Sequence, residues 1–235
     1  NHLRTRKVAR EDKTREMMPK ILQKLVEAQR PLILAGGGVI TAGAWDALAE
    51  LVERTKIPVV TTLMGKGAYP ETKPLSLGLV GMHGNAAANL ALSHCDLLLC
   101  LGTRFSDRVT GNRRKFLEQA TLIHVDIDAA ELQKNVDVDF PVHRDLNTFL
   151  SCLLKKPEID QVGPNNAWLD RIKQWQEKYP ITTIFNGDLL KPQAVVQTVY
   201  RLAGPEKIVV TDVGQHQMFT AQNYKINTRR GFITS

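Results

Sequence analysis

Apolar positions fall into two rhythms along the chain. From Arg15 to Ala28 they recur at helical spacing (Met18, Ile21, Leu22, Leu25), and Arg30-Pro31 closes the element. Pro31 to Ala35 is then an unbroken apolar run ending in Gly36-Gly37-Gly38, which predicts a buried strand feeding a tight turn. Leu48, Leu51 and Val52 share one face of a helix over Ala44 to Arg54, and Ile57 to Leu63 is the next strand. Met64 to Leu79, with Gly65, Gly67, Pro70 and Pro74, reads as loop. Asn85 to His94 is a small-residue helix with Asn85 as its N-cap. Asp96 to Leu101 and Thr121 to Val125 are apolar strands. A helix follows over Ala129 to Asn135, then a short strand near Val142 and a helix over Leu146 to Leu154.

Strands alternating with helices at this spacing build βαβ units. The fold class is therefore α/β, a doubly wound parallel sheet, followed by the truncated start of a second α/β domain. The expected division is a basic tail or linker over 1–14, a first domain over 15–156, a linker with a helix over 157–190, and a second unit over 191–235. Pro157 to Pro164 looks linker-like, and the Trp-containing amphipathic helix over Asn166 to Tyr179 is expected to pack outside the first domain. The second unit opens with a helix over Pro192 to Leu202 and a strand over Ile208 to Thr211. The chain starts without methionine and stops in a polar stretch, so a piece of a longer protein is expected.

Charge and cysteine content narrow the classes. The formal charge is +7 over 235 residues, but much of the excess sits between Arg4 and Arg15, interleaved with Glu11 and Asp12. That arrangement suits a solvated segment rather than a nucleic-acid surface. Cys95, Cys100 and Cys152 are odd in number, lack C-x-x-C spacing and lie among apolar neighbours, which points to a reducing compartment. No apolar run reaches the ~18 residues a membrane helix needs. A cytoplasmic protein without nucleic-acid or membrane partners is expected, or an organellar one (plastid or mitochondrion) in a eukaryote.

Candidate chemistry gathers at strand ends. The segment Leu101-Gly102-Thr103-Arg104-Phe105-Ser106-Asp107-Arg108-Val109-Thr110-Gly111 follows a wholly apolar strand and concentrates arginines, hydroxyls and glycines, a composition suited to holding an anion. Gly36-Gly37-Gly38 allows close backbone approach, although Val39 and Ile40 break the G-x-G-x-x-G pattern; a plain glycine turn is the alternative. Asp126 ends a strand, where an acid can accept ribose hydroxyls or cap a helix, and Asp145 offers the same two readings. His83, in Gly81-Met82-His83-Gly84, is a candidate base or wall residue. His216 is equally ambiguous, flanked by Gln215 and Gln217. No H-E-x-x-H, Walker loop or G-x-S-x-G occurs, and the histidines are too scattered for a metal cluster.

With these residues in place the chain resembles the acetolactate synthase (acetohydroxyacid synthase) large-subunit family of thiamine-diphosphate enzymes, which also carry FAD. The resemblance is carried by Arg30-Pro31 with Gly36-Gly37-Gly38, by Thr61-Thr62-Leu63-Met64-Gly65 and by Gly81-Met82-His83-Gly84. It continues through Arg104 to Gly111, His124-Val125-Asp126-Ile127-Asp128 and Asp212-Val213-Gly214-Gln215-His216-Gln217-Met218. It implies a Rossmann-like central domain over 15–156 binding a mainly structural FAD. The implied flavin residues after the first strands are Gly37, Thr62, Leu63, Val80, Gly81, Met82 and His83. From the later strands come Gly102, Thr103, Arg104, Phe105, Ser106, Asp126, Ile127, Asp145 and Leu146. Gln215 and His216 match positions touching thiamine diphosphate. Arg108, Asp107 and Met82 match substrate-channel positions, where the arginine holds a 2-keto acid carboxylate; no residue is assigned as catalytic.

The implied activity joins two pyruvates, or pyruvate and 2-ketobutyrate, into 2-acetohydroxy acids with loss of CO2, in branched-chain amino-acid biosynthesis. The resemblance implies 2-keto acid substrates, a homodimer or homotetramer, and a regulatory small subunit. Ser106 stands where aspartate is usual, Lys66 where an apolar residue is usual, and Arg144 where glycine is common. The activating glutamate and the Mg2+-binding segment of this family fall outside the chain, which alone is expected to be inactive. The alternatives are another thiamine-dependent carboligase or oxidase, such as glyoxylate carboligase or pyruvate oxidase, or a non-catalytic nucleotide-binding remnant.

Overall fold

The computed structural model describes residues 2–106, 119–181 and 190–234. Six parallel strands form one sheet in the order β3-β2-β1-β4-β5-β6: β1 (Pro31–Ala35), β2 (Val59–Thr61), β3 (Ser76–Leu79), β4 (Leu97–Leu101), β5 (Thr121–Asp126) and β6 (Phe140–His143). Every residue of β1, β2 and β4 is buried, because helices cover both faces of the sheet. The register is unbroken from Pro31 opposite Leu97 to Ala35 opposite Leu101, so β1 and β4 end level, side by side. The strand order reverses between them, and open α/β sheets bind ligands at such a point.

Two cores flank the sheet. On one face α1 (His2–Glu27), α2 (Gly37–Ala42), α3 (Trp45–Thr55) and α5 (Leu146–Leu154) pack against Ile33, Leu99 and Val125; on the other lies α4 (Ala86–His94). The helix read from Arg15 begins at His2, so the stretch taken as a tail is helical. Two further expectations are corrected. The segment after α5, taken as linker, is a short 3-10 turn (Pro157–Gln161) whose Ile159 enters the first core while Arg54 pairs with Asp160 at 2.8 Å. The helix α6 (Asn166–Lys178) does not pack elsewhere: it lies on α4 and buries Trp168, whose indole N–H donates to the Pro31 carbonyl.

Local readings also shift. The region read as loop contains β3, a short edge strand disguised by Gly78, which takes φ +84° beside a register shift on β2. The helix expected over Ala129 to Asn135 does not form. Asp126 and Asp128 accept the amide hydrogens two residues ahead, and Gln133 turns left-handed, so side chains claim the backbone first. Cys152 is exposed on α5, whereas Cys95 and Cys100 are buried; burial pushes the Cys95 thiol up to about 12.

A second unit follows: α7 (Pro192–Ala203), β7 (Val209–Thr211), α8 (Gln215–Asn223) and β8 (Phe232–Thr234), with β7 and β8 parallel. Among the described residues, no helix is long and apolar enough to cross a membrane.

Candidate functional site

The site is built by loops leaving the carboxyl ends of all six strands. After β1, Gly36 donates its amide to Leu101 and Gly38 donates to Gly102. A Cβ on Gly36 would lie 2.1 Å from the Gly102 oxygen, and one on Gly65 the same distance from the Ala35 oxygen. Glycine is required at 36 and 65 because the turns after β1, β2 and β4 interlock backbone to backbone. Gly37 has more room, with Met64 Cβ at 3.1 Å as its nearest neighbour. Thr62 caps the turn after β2 by accepting the Gly65 amide, and Leu63 opens that turn.

The β4 loop alternates inward and outward. Thr103 and Phe105 are buried; Arg104 and Ser106 are exposed. Phe105 holds φ at +47°, a region costly for a bulky side chain, and its ring meets the edge of His124 at 4.8 Å. His124, fully buried on β5, lies 2.9 Å through Nε2 from the Thr103 carbonyl oxygen. A carbonyl only accepts, so Nε2 carries the hydrogen. Desolvation depresses the imidazole's pKa, partly opposed by Asp126; the ring is neutral and the 3.8 Å approach of Nε2 to Asp126 is not an ion pair. Asp126 ends β5 with one carboxylate oxygen receiving the Asp128 amide. The turn beyond it is braced from β6, His143 donating to the Ile127 carbonyl and the Arg144 amide to that of Asp126.

After β3, Val80 is buried and Gly81 takes φ +100°. Asn89 on α4 grips both sides of that peptide, accepting the Gly81 amide at 2.9 Å and donating to its carbonyl at 3.0 Å. Met82 is thereby thrust outward, 74 % exposed, next to exposed His83. After β6, Asp145 caps α5 by accepting from the Thr148 amide and hydroxyl, and the Leu146 side chain is spent in the core. Any ligand contact from Leu146 therefore falls to its backbone. Asn85 occupies the N-cap position of α4 but donates to Leu77 instead of capping.

Gln215 and His216 open α8, exposed, behind Gly214 at φ +152°. Gln217 turns inward and donates to the Thr234 hydroxyl. The other end of this helix meets the β3 loop: Gln222, in its last turn, donates to the His83 carbonyl at 2.9 Å. Asp107 and Arg108 lie outside the described residues, as does the loop up to Gly111. The structure thus brings every other candidate from Gly37 to Leu146 to one edge of the sheet. Reading the sequence for chemistry passed over His124, Asn89 and Asn135, whose amide donates to the Arg104 carbonyl. The one available signal was His124 itself, a polar residue inside an apolar strand.

The donor set fits a flavin dinucleotide: an acid at the end of β5, an exposed guanidinium at Arg104, and exposed apolar side chains at Met82 and Ile127 (70 %) that an aromatic ring would cover.

A doubly wound parallel sheet presenting these groups at its switch point defines a Rossmann-like α/β domain. Residues 18–153 match the family model of the thiamine pyrophosphate enzyme central domain, and the chain belongs to that family. Among similar proteins is the acetolactate synthase large subunit of Parasynechococcus marenigrum, 46 % identical over 215 residues, covering 91 % of this chain and 34 % of the relative. The large subunit from Lactococcus lactis is 40 % identical over 96 % of this chain and 39 % of its own length. The isozyme 3 large subunit of Escherichia coli is 38 % identical over 92 % of this chain and 38 % of itself. The chain spans little more than a third of the length of these relatives.

Proposed function

We propose that the chain is the FAD-binding central domain, with the opening of the thiamine-diphosphate domain, of an acetolactate synthase large subunit that condenses 2-keto acids into 2-acetohydroxy acids. The observation that carries this reading is the convergence of flavin-type donors from six strand ends in a chain whose relatives bear that name over nine-tenths of its length. The domain limits proposed are 15–156 for the flavin domain, extended by the Pro157–Gln161 turn and α6 that pack on it, and 191–235 for the start of the thiamine domain. A homodimer or homotetramer, and a small subunit alongside, belong to the same proposal.

When bound, thiamine diphosphate supplies the carbanion chemistry of the reaction, and the flavin a fixed structural wall. The chain's own residues then divide the labour. Asp126, held by the Asp128 amide, keeps a carboxylate oxygen for ribose hydroxyls. Arg104, on a loop anchored by Thr103 and Phe105, offers a guanidinium fork to a diphosphate. The Gly81 to Gly84 turn, clamped by Asn89, walls the cleft and carries Met82 toward the substrate. Gln215 and His216, at the amino end of α8, face the thiamine diphosphate. Asp107 and Arg108 are assigned to the substrate channel.

The test is product analysis of the full-length protein with pyruvate, thiamine diphosphate, Mg2+ and FAD. Acetolactate formed without net flavin reduction is the expected result. A different ligation product, or flavin reduction during turnover, overturns the proposal.

A further inference from the structure

A buried ion pair helps tie the second unit to the sheet. Lys66 and Glu71, in the connection between β2 and β3, pair at 2.6 Å with side chains only 3 % and 6 % exposed. The same carboxylate oxygen of Glu71 accepts the Ile226 amide at 2.8 Å, and the Glu71 amide donates back to the Ile226 carbonyl at 3.0 Å. The next residues repeat the exchange, Thr72 and Asn227 bonding to each other in both directions. Ile226 is fully buried against Gly67, and the Lys66 ammonium lies 5.7 Å from the Phe232 ring of β8. Partners 155 residues apart in sequence thus form a two-rung joint with a buried ion pair at its centre.

The joint has a geometric consequence. Ile226 lies just beyond α8, after Tyr224 and Lys225; the first turn of that helix carries Gln215 and His216 and its last turn reaches the His83 carbonyl through Gln222. A carboxylate sharing one oxygen between an ammonium and a backbone amide fixes both of them, and out of water neither bond is easily exchanged. Lysine at position 66 has a demanding environment: without Glu71 its charge would be stranded among Phe232 and the backbone of the connection, and the converse holds for Glu71.

We infer that Lys66 and Glu71 are positioning residues that anchor the end of α8 against the Gly81 to Gly84 turn and so, through the helix, set where its Gly214 to Gln217 turn stands, fixing the distance between the two cofactor-bearing halves. The joint itself stands on geometry alone; only the identity of what the two turns hold rests on the function proposed above.

The experiment compares full-length protein carrying K66M, K66M/E71Q or K66M/E71A with the parent, by amide hydrogen exchange and by steady-state kinetics over a thiamine diphosphate titration. K66M strands a carboxylate and is expected to speed exchange at Ile226 and along α8 by at least about tenfold, with β1 and β4 unchanged. The concentration of thiamine diphosphate giving half-maximal rate rises by about the same factor, while kcat at saturation stays within about threefold. K66M/E71Q, uncharged and still offering an amide oxygen to Ile226, restores exchange to within about threefold of the parent. K66M/E71A, uncharged and without the acceptor, stays fast, and it supplies the comparison should K66M fail to fold. Unchanged exchange at Ile226 in K66M and K66M/E71A, or no recovery in K66M/E71Q, overturns the inference. If exchange responds as expected while the parent itself shows no dependence on thiamine diphosphate, the joint stands and the functional proposal fails.

Discussion

The two parallel sheets of this molecule make opposite use of the same local pattern. In the six-stranded sheet β1 and β4 are buried along their whole length, and Leu32, Ile33, Leu98 and Leu99 are at most 1 % exposed. In the two-stranded sheet Val210 is 70 % exposed and Ile233 51 %, and on the neighbouring helix Leu202 is 82 % exposed. Equally apolar strands therefore contribute differently: a β-branched residue stabilises a sheet through what lies over it rather than through strand propensity alone. Within these 235 residues the first unit closes its own core, whereas the second leaves apolar faces open and is held to its neighbour through Glu71, Asn227 and the pairing of Arg229 with Asp46.

Substitutions sharpen that contrast, beginning with the largest effect. Phe149→Ala, at a fully buried position in the first core on the helix that packs on β5, is expected to cost about 3–5 kcal/mol, read as a drop in denaturant midpoint. Gly36→Ala drives a methyl into the Gly102 carbonyl and is expected to cost about 3 kcal/mol, at the upper end for overpacking, with loss of FAD binding in titration. An intermediate effect depends on pH. Burial holds the folded His124 below its ordinary 6.5, so as pH falls the unfolded chain takes up this proton first. The stability from its neutral form is complete above that value and is lost as pH drops below it toward the depressed folded value. His124→Gln keeps an N–H for Thr103 without titrating, and its midpoint should change less than the parent's between about pH 8 and about pH 5.5. The smallest effect belongs to the second unit: in the 235-residue chain, Leu202→Ser should shift the midpoint by no more than about 0.5 kcal/mol. A large loss there would show that the exposed face is packed in solution and would erase the contrast.

The same contrast explains what could be read from sequence. β1, β4 and β5 are legible because burial on both faces writes an uninterrupted apolar run, and the residues just beyond such runs are by construction at the ligand edge. β3 was hidden because an edge strand of four residues containing Gly78 lacks any rhythm. The helix expected over Ala129 to Asn135 had the right composition but lost its backbone to the Asp126 and Asp128 carboxylates. At the site, the groups proposed to face a ligand announced themselves by residue type. Groups that hold them did not: His124 meets Thr103 across 21 residues, and Asn89 clamps Gly81 from the next helix. Glu71 is an ordinary surface-type residue in sequence and acquires its role only when Ile226 arrives from the far end of the chain.

The central claim is that the carboxyl edge of the six-stranded sheet is a flavin site, and FAD titration of the full-length protein, followed by quenching of flavin fluorescence, tests it most directly. The account predicts saturable binding of one FAD per chain, weakened at least about tenfold by Asp126→Ala and left within about twofold by Gln215→Ala, which removes a side chain from the other cofactor half. Absence of saturable binding, or an Asp126→Ala protein that binds FAD as tightly as the parent, would contradict it.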